Sequence, residues 1–171
     1  DIKKRSWYSL VSSKKAQIMT DPYVDAATKK TCVSIVSPVY QTGTKKIIGV
    51  TGIDITLNRL NTVVKNYKVG QNGFLILTSD TGTILGAPDK KWVGKTLSNA
   101  GVPSSLSSAI TDKSSKLVQY PTNGNMNYGY VSQVGTTGWS VTTGLPENEY
   151  LSSVTSVRNT MIAVYGISLI L

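Results

Sequence analysis

Histidine is absent from the 171 residues, cysteine occurs once, and acidic side chains number nine against eighteen lysines and arginines. Without histidine the chain lacks the commonest general base, the commonest zinc ligand and the side chain that titrates near neutral pH. Catalysis would have to rest on carboxylates, one thiol and hydroxyls, and no nucleophile, base and orienting group assemble from that set. The chain therefore reads as no enzyme, with no metal and no cofactor. The single Cys32 lies in the apolar run TCVSIVSPVY, where it has no disulfide partner in the chain and reads as a small core residue. Cysteine scarcity fits either redox compartment.

The shortage of acid leaves a formal charge of +9. Clustered cations would suggest nucleic acid, because they release counterions from phosphate. Here the cations are scattered in pairs, Lys14 with Lys15, Lys29 with Lys30, Lys45 with Lys46 and Lys90 with Lys91, and the longest run is Lys3, Lys4, Arg5. Pairs at turns describe solvated loops rather than a groove that tracks a phosphate backbone. Nucleic acid is not expected as a partner.

What is present is first an uncharged tail. From Asn159 the chain reads NTMIAVYGISLIL, after PENEYLSSVTSVRNT, which can be one helix from near Pro146 with Glu147 and Glu149 favourably placed in its first turn. The tail is shorter than the ~20 apolar residues of a spanning helix, but the run is unfinished where the sequence stops. It reads as the start of a transmembrane helix. A carboxyl-terminal core helix is the alternative, against which Gly166 and the uniformly apolar faces count. The opening DIKKRSWY is no signal peptide, so both ends are expected to be cuts in a longer protein.

Between the ends, a short helix is predicted for Trp7 to Ala16, then the turn TDPYVD. Two strands follow, TCVSIVSPVY and KIIGVTGIDI, joined by the Gly-containing QTGTK as a hairpin. The segment LNRLNTVVKNY reads as a helix capped by Thr56, with Leu57, Leu60, Val63, Val64 and Tyr67 on one apolar face. After Gly70 the pattern restarts. GFLILTSDTGTILGAP is a tight hairpin turning at Asp80, Thr81 and Gly82; a helix is predicted over Ser104 to Ile110; SKLVQY, NYGYVSQV and GWSVTTGLP are three more strands. These make a five-stranded antiparallel sheet with helices on one side, an α+β module, and the preceding part reads as half of a similar one.

The first part concentrates unusual residues. Arg5, Trp7 and Tyr8 fall within four positions, Tyr23 follows in the turn, and Asp54 interrupts an apolar strand. By period two Asp54 shares a face with Ile48, Val50 and Gly52, where an unpaired carboxylate would be unfavourable without a partner or water. A free amino acid would satisfy the whole set. Its carboxylate suits a guanidinium and an indole N–H, its ammonium suits a carboxylate and tyrosine hydroxyls, and aromatic walls exclude water. Each residue also has a plain reading: Arg5 as a surface cation, Trp7 and Tyr8 as a helix face, Tyr23 as a turn aromatic, Asp54 as a cap for the next helix. The combination is what suggests a site.

RSWYSLVSS, DPYVDAATKKTCVSIVSPVY and IIGVTGIDITLNRL, in that order, with GFLILTSDTGTILGAP and GWSVTTGLP further on, resemble the double Cache (dCache) extracytoplasmic sensor domains of bacterial chemoreceptors and sensor kinases. The resemblance extends over nearly the whole chain. It implies an α+β fold of two PAS-like Cache lobes with antiparallel sheets and flanking helices, the distal lobe incomplete at its amino end. Residues 1–56 would be the carboxyl-terminal half of the distal lobe, 57–68 a connecting helix, 69–145 the membrane-proximal lobe and 146–171 a helix running into a truncated transmembrane segment. In the amino-acid sensors of that family, Arg5 and Trp7 would hold the ligand carboxylate, while Tyr8, Tyr23 and Asp54 would hold the amino group. A further tyrosine of the motif would fall ahead of Asp1.

The expectation is thus an extracytoplasmic domain at the cell membrane, in a methyl-accepting chemotaxis protein, that binds a small L-amino acid and works as a homodimer. Three alternatives stay open: a biogenic amine as ligand, a histidine kinase or cyclic-dinucleotide enzyme as output, and a ligand-free dimerisation or spacer module.

Overall fold

In a computed structural model the described residues are 2–152 apart from 114 and 123, together with 155, 158 and 159. A short 3-10 turn at Ile2–Lys4 leads into helix α1, Ser6–Lys14. Lys15 ends the helix in the left-handed region at φ 50°, its N–H donating to Val11 O. Two short strands, β1 (Ile18–Met19) and β2 (Tyr23–Val24), come next. The long hairpin of β3 (Thr31–Tyr40) and β4 (Ile47–Thr56) completes a first sheet. β3 lies at its centre: β4 pairs one side, while β1 and β2 share the other, β1 opposite Ile35 and Val36 and β2 opposite Thr31 and Cys32.

Thr56 ends β4 and caps helix α2, Leu57–Asn66, its hydroxyl accepting from Arg59 N at 3.3 Å. The second sheet follows, with β5 (Phe74–Thr78), β6 (Ile84–Gly86), helix α3 (Ser104–Thr111), β7 (Lys116–Thr122), β8 (Asn125–Gln133) and β9 (Ser140–Pro146). Its order is β6-β5-β9-β8-β7, antiparallel at every pairing. Helix α4, Glu147–Tyr150, leaves the end of β9 with Glu147 and Glu149 in its first turn, as the sequence predicts.

Period-two alternation sorts each strand into two environments. On β5 and β6, Ile76 and Ile84 join Leu106, Ala109 and Ile110 of α3 in one core, while Leu75, Leu77 and Leu85 join Leu57 and Val64 of α2 in another. Helices therefore cover both faces of the second sheet rather than the one face expected. The α2 core also takes in Val33 of β3 and Trp139, so it is shared between the two sheets.

The predicted apolar face of α2 is partly corrected. Leu57 and Val64 are buried, but Val63 and Tyr67 are 60% and 62% exposed, and the third buried residue of the helix is Asn61. Asn61 is buried because its side-chain oxygen accepts from Ala87 N at 2.9 Å, tying the helix to the strand end. Cys32 is buried, as its run predicts, and burial raises its thiol pKa. The apolar tail, residues 160–171, lies outside the described residues. Among those described, no helix is long and apolar enough to cross a membrane.

Candidate functional site

The β3–β4 register builds the site. Tyr23 lies opposite Cys32, Ser34 opposite Asp54, and Val36 opposite Gly52. Alternation then sets Tyr23, Ser34, Val36, Gly52 and Asp54 on one face of the first sheet. Helix α1 packs over that face, with Val11 buried against Ile18 and Val36 and with Trp7 beside them.

Between helix and sheet is a cavity of about 330 Å³, lined by Arg5 and Trp7 from the start of α1, by Tyr23 and Asp25, and by Ser34, Val36, Val50, Thr51, Gly52 and Asp54. Four of the five residues singled out in the sequence, Arg5, Trp7, Tyr23 and Asp54, meet there. Tyr8 is not among the lining residues. Its ring stands edge-on to Trp7 with centroids 6.2 Å apart, and so braces the indole.

The partner that Asp54 needs is Ser34, 2% exposed, whose hydroxyl donates to Asp54 Oδ1 at 2.5 Å. The Tyr23 hydroxyl lies 2.7 Å from Ser34 Oγ and makes a longer contact of 3.4 Å with the same Asp54 oxygen. Both contacts land on Oδ1, and among the described residues no hydrogen bond engages Oδ2. Burial pushes the Tyr23 phenol up to about 12, with the Asp54 charge adding to the rise and the Ser34 bond opposing it. Tyr23 is therefore neutral, and able to donate, throughout the physiological range.

Arg5 occupies the N-cap position of α1 in extended conformation, its carbonyl accepting from Tyr8 N and Ser9 N. Its guanidinium makes no ion pair among the described residues. Asp25 completes the charge pattern. Its carboxylate accepts from Thr28 Oγ1 at 2.6 Å and from Thr28 N at 2.7 Å, which hold its pKa below the usual carboxylate value, with a smaller contribution from Arg5. The cavity thus presents one guanidinium and two carboxylates, none joined to an opposite charge by a direct contact among the described residues.

The reading of the sequence missed Asp25, Ser34, Val36 and Thr51 among the lining residues, and Asp25 and Ser34 are the two that act on charge. Asp25 lies two positions after Tyr23, so a period-two count from Tyr23 finds it. Among the described residues no group of His, Cys, Asp and Glu could hold a metal ion.

A helix and a sheet enclosing a small polar cavity form a ligand-binding module. The dCache_1 family model, a Cache domain, matches residues 1–154, and the chain belongs to that family. The methyl-accepting chemotaxis protein PscA of Pseudomonas syringae pv. tomato is 26% identical over 165 residues, 95% of this chain and 25% of that protein. Among solved structures, the ligand-binding domain of the Pseudomonas fluorescens chemoreceptor CtaA in complex with L-isoleucine superposes with a TM-score of 0.69 at 25% identity, covering 90% of this chain and 61% of that one. The ligand-binding domain of the Pseudomonas aeruginosa amino-acid chemoreceptor PctB in complex with L-Arg gives 0.65 at 29% identity, covering 88% and 62%. This chain spans about a quarter of the length of PscA.

Proposed function

We propose that the chain is the extracytoplasmic sensor domain of a bacterial chemoreceptor and binds a small L-amino acid in the cavity between α1 and the first sheet. The carrying observation is the separation of charge across that cavity. A carboxylate that among the described residues is held by hydroxyls alone, Asp54, shares it with a guanidinium that has no ion-pair partner among them, Arg5. A zwitterion of amino-acid size joins both, its carboxylate to Arg5 and the Trp7 N–H, its ammonium to Asp54 Oδ2 and the Tyr23 hydroxyl. Tyr8 acts by fixing Trp7. A biogenic amine would use Asp54 and Asp25 but leave Arg5 without an anion. The amino acids bound by CtaA and PctB in their solved complexes support the zwitterion.

In this reading residues 1–56 carry the site within a distal lobe, 57–68 connect, 69–145 form a membrane-proximal lobe, and 146–171 lead into the membrane. The domain binds and does not catalyse. It works as a homodimer and passes a ligand-dependent displacement through α4 towards a chemotaxis output, as the methyl-accepting relatives suggest.

Calorimetric titration of L-amino acids tests the assignment. Truncating one member of a charge pair that a ligand desolvates costs about 2–5 kcal/mol. Arg5→Ala and Asp54→Ala should each weaken binding at least thirtyfold, with an unchanged circular dichroism spectrum. Wild-type affinity in either variant would overturn the site.

A further inference from the structure

The second sheet has a larger cavity, of about 530 Å³, which shares no lining residue with the first. It opens on the face of the sheet that packs against α3. Along that face the rungs run Tyr120 to Asn127 to Pro146 and Thr122 to Asn125. Two glycines lie beneath the Tyr120 side chain. A Cβ on Gly144 would collide with the Tyr120 hydroxyl and the Phe74 ring, and one on Gly129 with the Tyr120 ring. The missing side chains let both aromatics lie close on the sheet, where they close the apolar core. The cavity begins at Phe74 and continues past it to the β7–β8 connection and the start of α4.

One hydroxyl of the cavity wall has no partner among the described residues. Among the described residues Tyr120 Oη, Thr122 Oγ1 and Thr142 Oγ1 are buried without a hydrogen bond, and of the three only Thr122 lines the cavity. Buried polar groups are ordinarily satisfied, and an orphan hydroxyl in the wall of a cavity calls for a bound molecule to complete it.

The wall itself specifies the chemistry. Asn72, Asn125, Asn127 and Asn148 bring four carboxamides, Thr122 a hydroxyl and Phe74 a ring. Asn72 Nδ2 donates to Glu149 Oε2 at 3.1 Å and Asn127 Nδ2 to the Asn125 carbonyl at 3.2 Å, which leaves their side-chain oxygens as acceptors. Among the described residues no lysine or arginine lines the cavity, so an amino-acid carboxylate or a phosphate finds no counter-charge there, and Glu147 is the one ionisable group of that lining. Carboxamides match groups that both give and accept a proton, and an aromatic ring packs against the C–H face of a saturated ring.

We infer that this cavity is a second ligand site, taking a neutral, hydroxyl-rich molecule of monosaccharide size. It stands apart from the amino-acid site, and its ligand bridges the sheet to the first turn of α4. A sugar bound there acts on the helix that leaves the domain without passing through the first sheet.

The test is calorimetric titration and thermal melting of the whole chain with D-glucose, D-galactose, D-ribose and myo-inositol, beside L-serine and putrescine. At least one of the four neutral compounds should bind saturably, with Kd below about 1 mM. Thr122→Val should weaken it at least tenfold without lowering the melting temperature of the unliganded chain, since valine removes an orphan hydroxyl at nearly constant volume. Asn148→Ala, an exposed position, should weaken it similarly, and Asp54→Ala should leave it unchanged while abolishing the response to L-amino acids. Silence from all four compounds overturns the inference. So does binding that survives Thr122→Val, binding lost in Asp54→Ala, or a response to putrescine alone that Glu147→Gln removes.

Discussion

Ser34 decides where the Asp54 carboxylate points. Its hydroxyl is buried between the Tyr23 hydroxyl and Asp54 Oδ1, and a hydrogen bond to a charged group is worth about 1.5–3 kcal/mol. Ser34→Ala keeps the cavity shape nearly constant and releases the carboxylate. The expected result is an L-amino-acid Kd raised at least tenfold with a small loss of melting temperature. An unchanged Kd would mean that Tyr23 alone orients Asp54. That Asp54 requires a partner follows from its place in an apolar strand, but the identity of the partner does not. Counting back from the Tyr40–Ile47 rung in even steps sets Asp54 opposite Val33. The irregularity between Val39 and Tyr40 shifts the register by one and brings Ser34 there instead. A bulge depends on how the hairpin twists and leaves no signature in the run of Val and Ile around it.

The helices show the same division between pattern and packing. Among the described residues each α-helix and each long strand was legible from periodicity and turn residues, while the 3-10 turns and the buried face of α2 were not. At about 100° per residue, Leu57, Asn61 and Val64 cluster, while Val63 falls about 130° away from their centre. A search for apolar spacing rejects Asn61, although its bond to Ala87 N makes it a packing residue. Gly86 explains the close seat of Val64: a Cβ there would stand 2.7 Å from Val64 Cγ2.

The short α4 is held by one side chain. Glu149 accepts from Gln71 N at 2.6 Å, and from Asn72 N and Nδ2 at 3.0 and 3.1 Å, while Tyr150 stacks on Tyr128 with ring centroids 4.1 Å apart. The backbone bond from Gln71 leads the effects that lower the Glu149 pKa below 4.5. A lowered folded-state pKa means that the latch is fully present above the unfolded value, and is lost as pH falls through the folded one. Hydrogen exchange at the Gln71 and Asn72 amides should therefore be slow at neutral pH after intrinsic rates are corrected for, and should accelerate as pH falls through the lowered folded-state pKa of Glu149. Glu149→Gln should show the acid-state exchange already at neutral pH, and protection equal to wild type would remove Glu149 from this role.

Across the whole molecule the two sheets share the α2 core, and a polar contact among the described residues also joins the segment ahead of β2 to the second sheet. Thr81, in the β5–β6 turn, donates to Asp21 Oδ1 at 2.7 Å, and Asp21 stands two residues before Tyr23. In the same turn Asp80 pairs with Lys113, just past the end of α3. An amino acid that tightens Tyr23 against Asp54 thus bears on a segment bonded to the second sheet. Such a ligand changes the second sheet only if the bonded and parted arrangements of this contact bind it differently. Nothing in the sequence foreshadows the contact, because both partners are ordinary turn residues brought together only by the shared core. Thr81→Val deletes the bond at an exposed position outside the cavity, so amino-acid affinity should stay within about threefold of wild type. What should fall is the ligand-induced protection from hydrogen exchange over residues 79–83 and at Gln71 and Asn72. Full protection in the variant would assign the coupling to the α2 core, through Val33 and Leu57, instead of to the polar contact.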